Sequence, residues 1–219
     1  MGGCVPVVLD QRPAGCARSG GWRLTLNGFL TLALQSVTAP RDVARLLLST
    51  RLSAEALATA FALVVVLNAI VFSASGILMP DAAGMSGILG SPVGFMAMQG
   101  TTLAVVIVLL TWTGRAFGGR GGYADVAVLM IWLQALRVLA QAGILVILLG
   151  SAVLGGLAVM AVTALGVWIA VHFIDEAHEL GSLLKAVLVL VAGVLGMAFA
   201  LSILLTTLGF TPEGVAAYV

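Results

Sequence analysis

Residues 137–175 read RVLAQAGILVILLGSAVLGGLAVMAVTALGVWIAVHFID, and the 37 positions between Arg137 and Asp175 hold no Asp, Glu, Lys or Arg. As one helix those 37 positions would run about 55 Å at 1.5 Å per residue, far beyond the ~30 Å hydrocarbon core of a bilayer. Two helices joined by a tight turn fit, and the glycine-rich segment from Gly150 to Gly156 supplies the break. The stretch therefore predicts a membrane hairpin, with one span over about 124–149 and the next over about 157–174.

Working outward, the same criterion gives three more spans. One covers 56–79: Ser53 caps its start, Glu55 lies in the first turn, and Pro80 stops it. Another covers 95–113 and ends at Gly114-Arg115; the last covers 186–208 and ends at Gly209 and Pro212. Asp125 suits the N-terminus of the third span, where the helix dipole favours an anion. The expected fold class is an all-α membrane protein with five transmembrane helices over residues 27–208. Residues 1–26 and 209–219 read as tails.

Composition agrees. Of the 219 residues, 61% are hydrophobic and 9% charged, with a mean hydropathy of +1.18. A soluble domain carries about 25% charged residues. The net charge of +1 leaves no basic stripe for phosphates, so nucleic acid is not expected as a partner. Cys4 and Cys16 stand twelve positions apart, neither a C-x-x-C redox pair nor a zinc spacing, and read as incidental tail cysteines.

Lys and Arg set the orientation. Arg12, Arg18, Arg23, Arg41, Arg45 and Arg51 precede the first span, Arg115 and Arg120 separate the second and third, and Lys185 precedes the fifth. The other connections and the C-terminal tail carry none. The expected topology has a cytoplasmic N-terminus and an outer C-terminus in a cell inner membrane. Pro40 to Ser53 reads as a separate amphipathic interfacial helix, Pro40 suiting its first turn. Val43, Ala44, Leu46 and Leu47 would form its apolar face, and Arg41, Arg45 and Arg51 its polar one, lying against anionic headgroups.

Arg137 is the one charge expected at bilayer depth, where it costs on the order of 3 kcal/mol on insertion scales. Gln134, Arg137 and Gln141 stand at i, i+3 and i+7, one polar face of the third span. No acid lies inside another span, so the expected partners are Gln134, Gln141, Asn68, Gln99 or backbone carbonyls. The face either clamps the bundle or lines a small cavity.

Other constellations carry less. His172, Asp175, Glu176 and Glu179 share a face near the end of the fourth span, with His178 beside them. All would come from one helix end, so no metal site is expected, and a hydrated interfacial end is the simpler reading. Gly84-Met85-Ser86-Gly87 matches the G-x-S-G of rhomboid-type intramembrane proteases. A serine nucleophile needs its base within hydrogen-bond reach; the expected topology puts His172 and His178 a membrane thickness away, so no catalytic residue is assigned. Ala192, Gly196 and Ala200 recur every fourth residue, a small-residue seam for bundle packing or for a homo-oligomer. No cofactor is implied.

The segment Gly114-Arg115-Ala116-Phe117-Gly118-Gly119-Arg120-Gly121-Gly122-Tyr123-Ala124-Asp125, followed by Trp132-Leu133-Gln134, resembles the bacterial branch of the Yip-one-domain family, named for Ypt/Rab-interacting proteins. The five spans, the Pro40–Arg51 helix and the run from Phe173-Ile174 to His178 also fit, over about residues 27–208. In eukaryotic relatives the resemblance implies vesicle trafficking and binding of Rab-type GTPases. This chain lacks the Asp-Leu-Tyr-Gly-Pro-like segment of those members, so GTPase binding is carried to no residue here. Arg137 departs from the family, whose members tend to be apolar there.

Physically, the glycine segment reads as a tight connection, with Arg115 and Arg120 at the anionic leaflet and Asp125 within reach of either. Gly118, Gly119 and their neighbours also form a candidate anion nest, with Arg115, Arg120 and Asp125 around it. No Lys-Ser/Thr follows the glycines, so it is not a P-loop. The functional expectation is a non-enzymatic membrane organiser or adaptor whose partners are membrane lipids and other membrane proteins. The alternative is a small transporter or channel with a polar site around Arg137.

Overall fold

The computed structural model describes residues 26–78 and 91–207. Among these residues the chain forms seven helices: α1 (Leu26–Thr38), α2 (Pro40–Ser49), α3 (Ala54–Leu78), α4 (Pro92–Ala116), α5 (Tyr123–Gly150), α6 (Ala152–His178) and α7 (Leu183–Thr207). Five of them, α3 to α7, are long and apolar enough to cross a membrane. The two cysteines, the Gly84–Gly87 match and both tails, apart from Leu26 at the start of α1, lie outside the described residues.

Local chemistry sets the helix ends. Ser91 accepts a hydrogen bond from the Gly94 amide at 3.1 Å and Pro92 occupies the first turn, so α4 starts before Phe95. At α5, the Asp125 carboxylate accepts from the Gly122 amide at 3.0 Å. The hairpin turn between α5 and α6 is the single residue Ser151, not the segment Gly150–Gly156. Its hydroxyl caps α6 by accepting from the Leu154 amide at 3.4 Å. Gly155 lies inside α6, buried against α5; a Cβ there would run into the Leu148 side chain, so the glycine lets the two helices close directly.

α1 is a feature that the hydropathy reading missed. Its 13 residues carry no charge and make it about 20 Å long, too short to span and apt for a re-entrant or interfacial position. It is tied to α5 through Trp132. The indole stands edge-on to Phe29 at 5.4 Å and donates to the fully buried Ser36 hydroxyl at 3.0 Å. Phe29 and Ser36 are seven residues apart, hence on one face of α1.

The tightest core lies toward the end of the bundle where α2, the α4–α5 connection and the α6–α7 connection meet. Phe173, Leu129, Ile174, Val126 and Val189 are all but inaccessible there. Outward-facing residues are apolar as well: Val93 is 75% and Phe199 70% exposed. A surface of that kind is stable against lipid chains and not against water. Several polar side chains within the spans turn back to their own helix. Asn68 donates to the Val64 carbonyl and Thr111 to that of Ile107, satisfying groups that lipid cannot.

Candidate functional site

Every charged residue among those described, except Arg137, lies at one end of the bundle or on α2 and its link to α3. That polar end is assembled from three segments far apart in sequence. Its centre is His178, the last residue of α6 and fully buried.

The glycines of the α4–α5 connection are shaped around His178. A Cβ at Gly114 would overlap its imidazole. One at Gly119 would lie 2.6 Å from the His178 Cβ, and one at Gly121 would lie 2.7 Å from its Cδ2 and from the Ala177 carbonyl. Only hydrogen fits at these three positions. The loop backbone is held as well: the Arg120 amide donates to the His178 carbonyl at 3.0 Å, Gly119 to Gly114 at 2.9 Å and Gly118 to Arg115 at 3.0 Å. Gly118 has a φ of +88°, in the left-handed region that favours glycine. The amides of Gly118, Gly119, Arg120 and Gly122 are thus occupied by protein acceptors.

On the ring itself, Nδ1 lies 3.2 Å from the Ile174 carbonyl. A carbonyl only accepts, so Nδ1 carries the proton. Nε2 is buried without a hydrogen-bond partner. An unpaired buried acceptor is costly, and its position against Gly114 marks how completely the loop closes over it.

The second segment is α2. Pro40, Val43 and Ala44 are buried, and Leu47 is half-buried against the core. These positions, i, i+3, i+4 and i+7, make one stripe that packs on α6 and α5. Leu46 falls off that stripe and is 49% exposed, correcting the apolar face expected for this helix. The helix ends at Ser49, before Ser53, and Arg51 in the link has a positive φ of 41°.

Burying that stripe brings two arginines onto the third segment, the C-terminal end of α6. Arg41 Nη2 lies 2.8 Å from Asp175 Oδ2, and Arg45 Nε 2.5 Å from Glu176 Oε1. Acids at a helix C-terminus oppose its dipole; here two cations from 134 and 131 residues away offset that repulsion. Hydrogen bonding and charge from Glu176 raise the Arg45 guanidinium pKa further above its ordinary value. Asp175 is only 5% exposed and its second oxygen accepts from the Ser182 amide at 3.1 Å. Its carbonyl also receives the Leu180 amide at 3.1 Å, while Glu179 turns the chain in the left-handed region.

This end is therefore not the hydrated terminus expected from the sequence. His172, Asp175 and His178 are all buried; the glycine loop closes over His178 and Arg41 of α2 reaches Asp175. His172 donates through Nδ1 to the Trp168 carbonyl at 2.8 Å and lies beside the Trp168 ring. Among the described residues no group of three or more His, Cys, Asp or Glu is placed to hold a metal ion.

Around the loop's outer edge, Arg115 Nε donates to the Gly121 carbonyl at 3.1 Å, and its guanidinium lies 5.1 Å from the centre of the Tyr123 ring. The Tyr123 hydroxyl accepts from Trp112 Nε1 at 2.6 Å. Asp125, expected within reach of Arg115 or Arg120, is used instead as the cap of α5. Phe117, Arg120, Tyr123 and Trp112 remain exposed.

The intramembrane polar face lies elsewhere, half-way along α5. Gln134 and Arg137 line a cavity of about 760 Å³ between α1, α4, α5, α6 and α7; Gln141 does not reach it. Among the described residues Gln134 and Arg137 make no hydrogen bond or ion pair, so the expected partners of Arg137 are not engaged. The cavity floor is apolar and buried, with Leu103, Leu110, Met130 and Ile169. Its rim includes Leu34 and Val167, 71% and 51% exposed, so it opens sideways onto the apolar surface. The Ala192, Gly196 and Ala200 seam lies on α7. Gly196 faces Leu109 of α4, Ala200 is exposed, and the closest approach is one position off the seam, at Gly193 against Leu110.

Burial of the α6 end and the α2 contact were missed by sequence reading. A signal existed: Arg41 and Arg45 are four apart, and Asp175 and Glu176 are acids that a helix end would otherwise reject. The Yip1 domain family model matches residues 34–204, from within α1 to near the end of α7. No curated protein and no solved structure matches the chain.

Proposed function

The chain belongs to the Yip1 domain family of membrane proteins, and from that premise we propose that it is a non-enzymatic adaptor which presents its polar end to other membrane proteins. The observation that carries this reading is the lock between α2 and α6. Two ion pairs, a buried apolar stripe and a glycine loop closed on His178 fix three segments in one face. Fixing a face in advance lowers the ordering cost that a partner would otherwise meet on binding. Phe117, Arg120, Tyr123 and Trp112 project from that face, and exposed aromatic and arginine side chains are the residue types enriched in protein interfaces.

On this reading the polar end is cytoplasmic, since Arg41, Arg45, Arg51, Arg115, Arg120 and Lys185 all lie there. The C-terminus is then outside, and the membrane is a bacterial inner membrane. Lipids of the inner leaflet meet the same basic rim.

The test is site-specific photo-crosslinking in cells with mass spectrometry. A photoreactive residue at Phe117 should give discrete protein adducts, and one at Val153, exposed at the opposite end, should give lipid adducts alone. Identical protein adducts from both positions would defeat the proposal. The cavity at Arg137 favours a second reading, a small transporter. Its walls are apolar apart from a few groups, which suits a hydrophobic occupant better than a polar solute.

A further inference from the structure

Arg137 stands at the midpoint of α5, fourteen residues from Tyr123 and thirteen from Gly150. It is therefore about 20 Å along the axis from either helix end, and about 15 Å from either headgroup level of a ~30 Å core. At ordinary bond lengths its guanidinium reaches only about 7 Å from Cα. The phosphate of a bilayer phospholipid is out of its range.

Yet the side chain lines a laterally open cavity of about 760 Å³, within the roughly 300–1,000 Å³ of small-molecule sites. It brings one full positive charge with no acid to answer it, and Gln134 one turn away adds an unpaired amide. Walls of leucine, valine and isoleucine fit a hydrocarbon chain, and the guanidinium fits a planar oxyanion through two parallel hydrogen bonds.

We propose that the cavity binds a long-chain monocarboxylate of the fatty-acid type. The tail lies on the buried floor around Leu103 and Met130, and the carboxylate pairs with Arg137, with Gln134 donating beside it. A carboxylate is favoured over a phosphate monoester because one arginine neutralises one charge, whereas a phosphate brings about 1.5 to 2. Entry is from the membrane, through the opening bordered by Leu34 of α1. This site stands independently of the adaptor reading.

The test uses the full chain in nanodiscs of phosphatidylcholine, with labelled palmitate as the probe and hexadecanol and hexadecyl phosphate as competitors. Palmitate should bind saturably at a single site per chain, and hexadecanol should compete at least about tenfold less well, since it lacks the charge-assisted bonds. Arg137→Gln should weaken palmitate by a similar factor, while Arg137→Lys, which keeps the charge and loses the two-pronged geometry, should weaken it less than Arg137→Gln does. Ala33→Trp, which fills the cavity and leaves Arg137 in place, should abolish it. Absence of saturable binding, equal competition by hexadecanol, or unchanged affinity in Arg137→Gln would overturn the site. Stronger competition by the phosphate than by palmitate would overturn the carboxylate assignment. The competitor comparison uses the unaltered protein, so it decides the matter even where a variant fails to fold.

Discussion

Gly114→Ala is the sharpest probe of the polar end. The added methyl occupies the space of the His178 imidazole. The ring cannot swing aside freely, because it is fully buried and bonded through Nδ1 to the Ile174 carbonyl. Overpacking of this kind costs about 1–3 kcal/mol, and an overlap with a ring fixed on two sides belongs near 3. Against that, alanine in place of glycine within α4 contributes about 1 kcal/mol of helix propensity. The net destabilisation is about 2 kcal/mol, or ~4–8 °C in melting temperature for a chain of this size.

The same substitution in a His178→Ala background meets no ring. There Gly114→Ala should stabilise by about 1 kcal/mol from propensity alone, giving a coupling of about 3 kcal/mol between the two positions. Thermal unfolding of the four proteins in one detergent, followed by tryptophan fluorescence, reads the cycle. Equal effects of Gly114→Ala in both backgrounds would show that the glycine is not there for the histidine, and the account of the loop would fail.

Three further outcomes follow from the same structure. Arg41→Ala leaves the buried Asp175 carboxylate short of its cation and should destabilise by about 1–3 kcal/mol in denaturant unfolding; Arg45→Ala, at an exposed pair, should do visibly less, and the reverse order would refute the assignment of Asp175 as the key acid. Gly155→Val should force α5 and α6 apart at Leu148 and cost about 1–3 kcal/mol in the same assay, whereas an unchanged midpoint would contradict the close crossing. An enzyme reporter fused after Val219 should read as outside the cell membrane; a cytoplasmic reading would reverse the orientation drawn from the arginines.

Hydropathy made the five spans legible because each is a run of about 20 or more residues with few charges, and lipid tolerates little else. α1 was not legible: its 13 residues, among them Asn27, Thr31, Gln35, Ser36 and Thr38, are too few and too polar for that signal, and its identity depends on Trp132, which is 96 residues beyond Ser36. The position of Ser151 as the whole hairpin turn was hidden by the glycines after it, of which Gly155 serves packing and not the turn. The glycine segment itself was visible, but its purpose was not. Only the folded chain places His178 between Gly114 and Gly121. The ion pairs of α2 with α6 join residues more than 130 positions apart, beyond any local pattern. Arg137 was legible as a charge at mid-depth, and the cavity it lines was not.

The central claim is that partners recognise the assembled polar end, and a charge exchange tests it most directly. With a photoreactive residue at Phe117, Arg41→Asp should abolish the protein adduct by releasing α2 from α6, and Arg41→Asp with Asp175→Arg should restore it. Adducts that persist undiminished in Arg41→Asp would contradict the account.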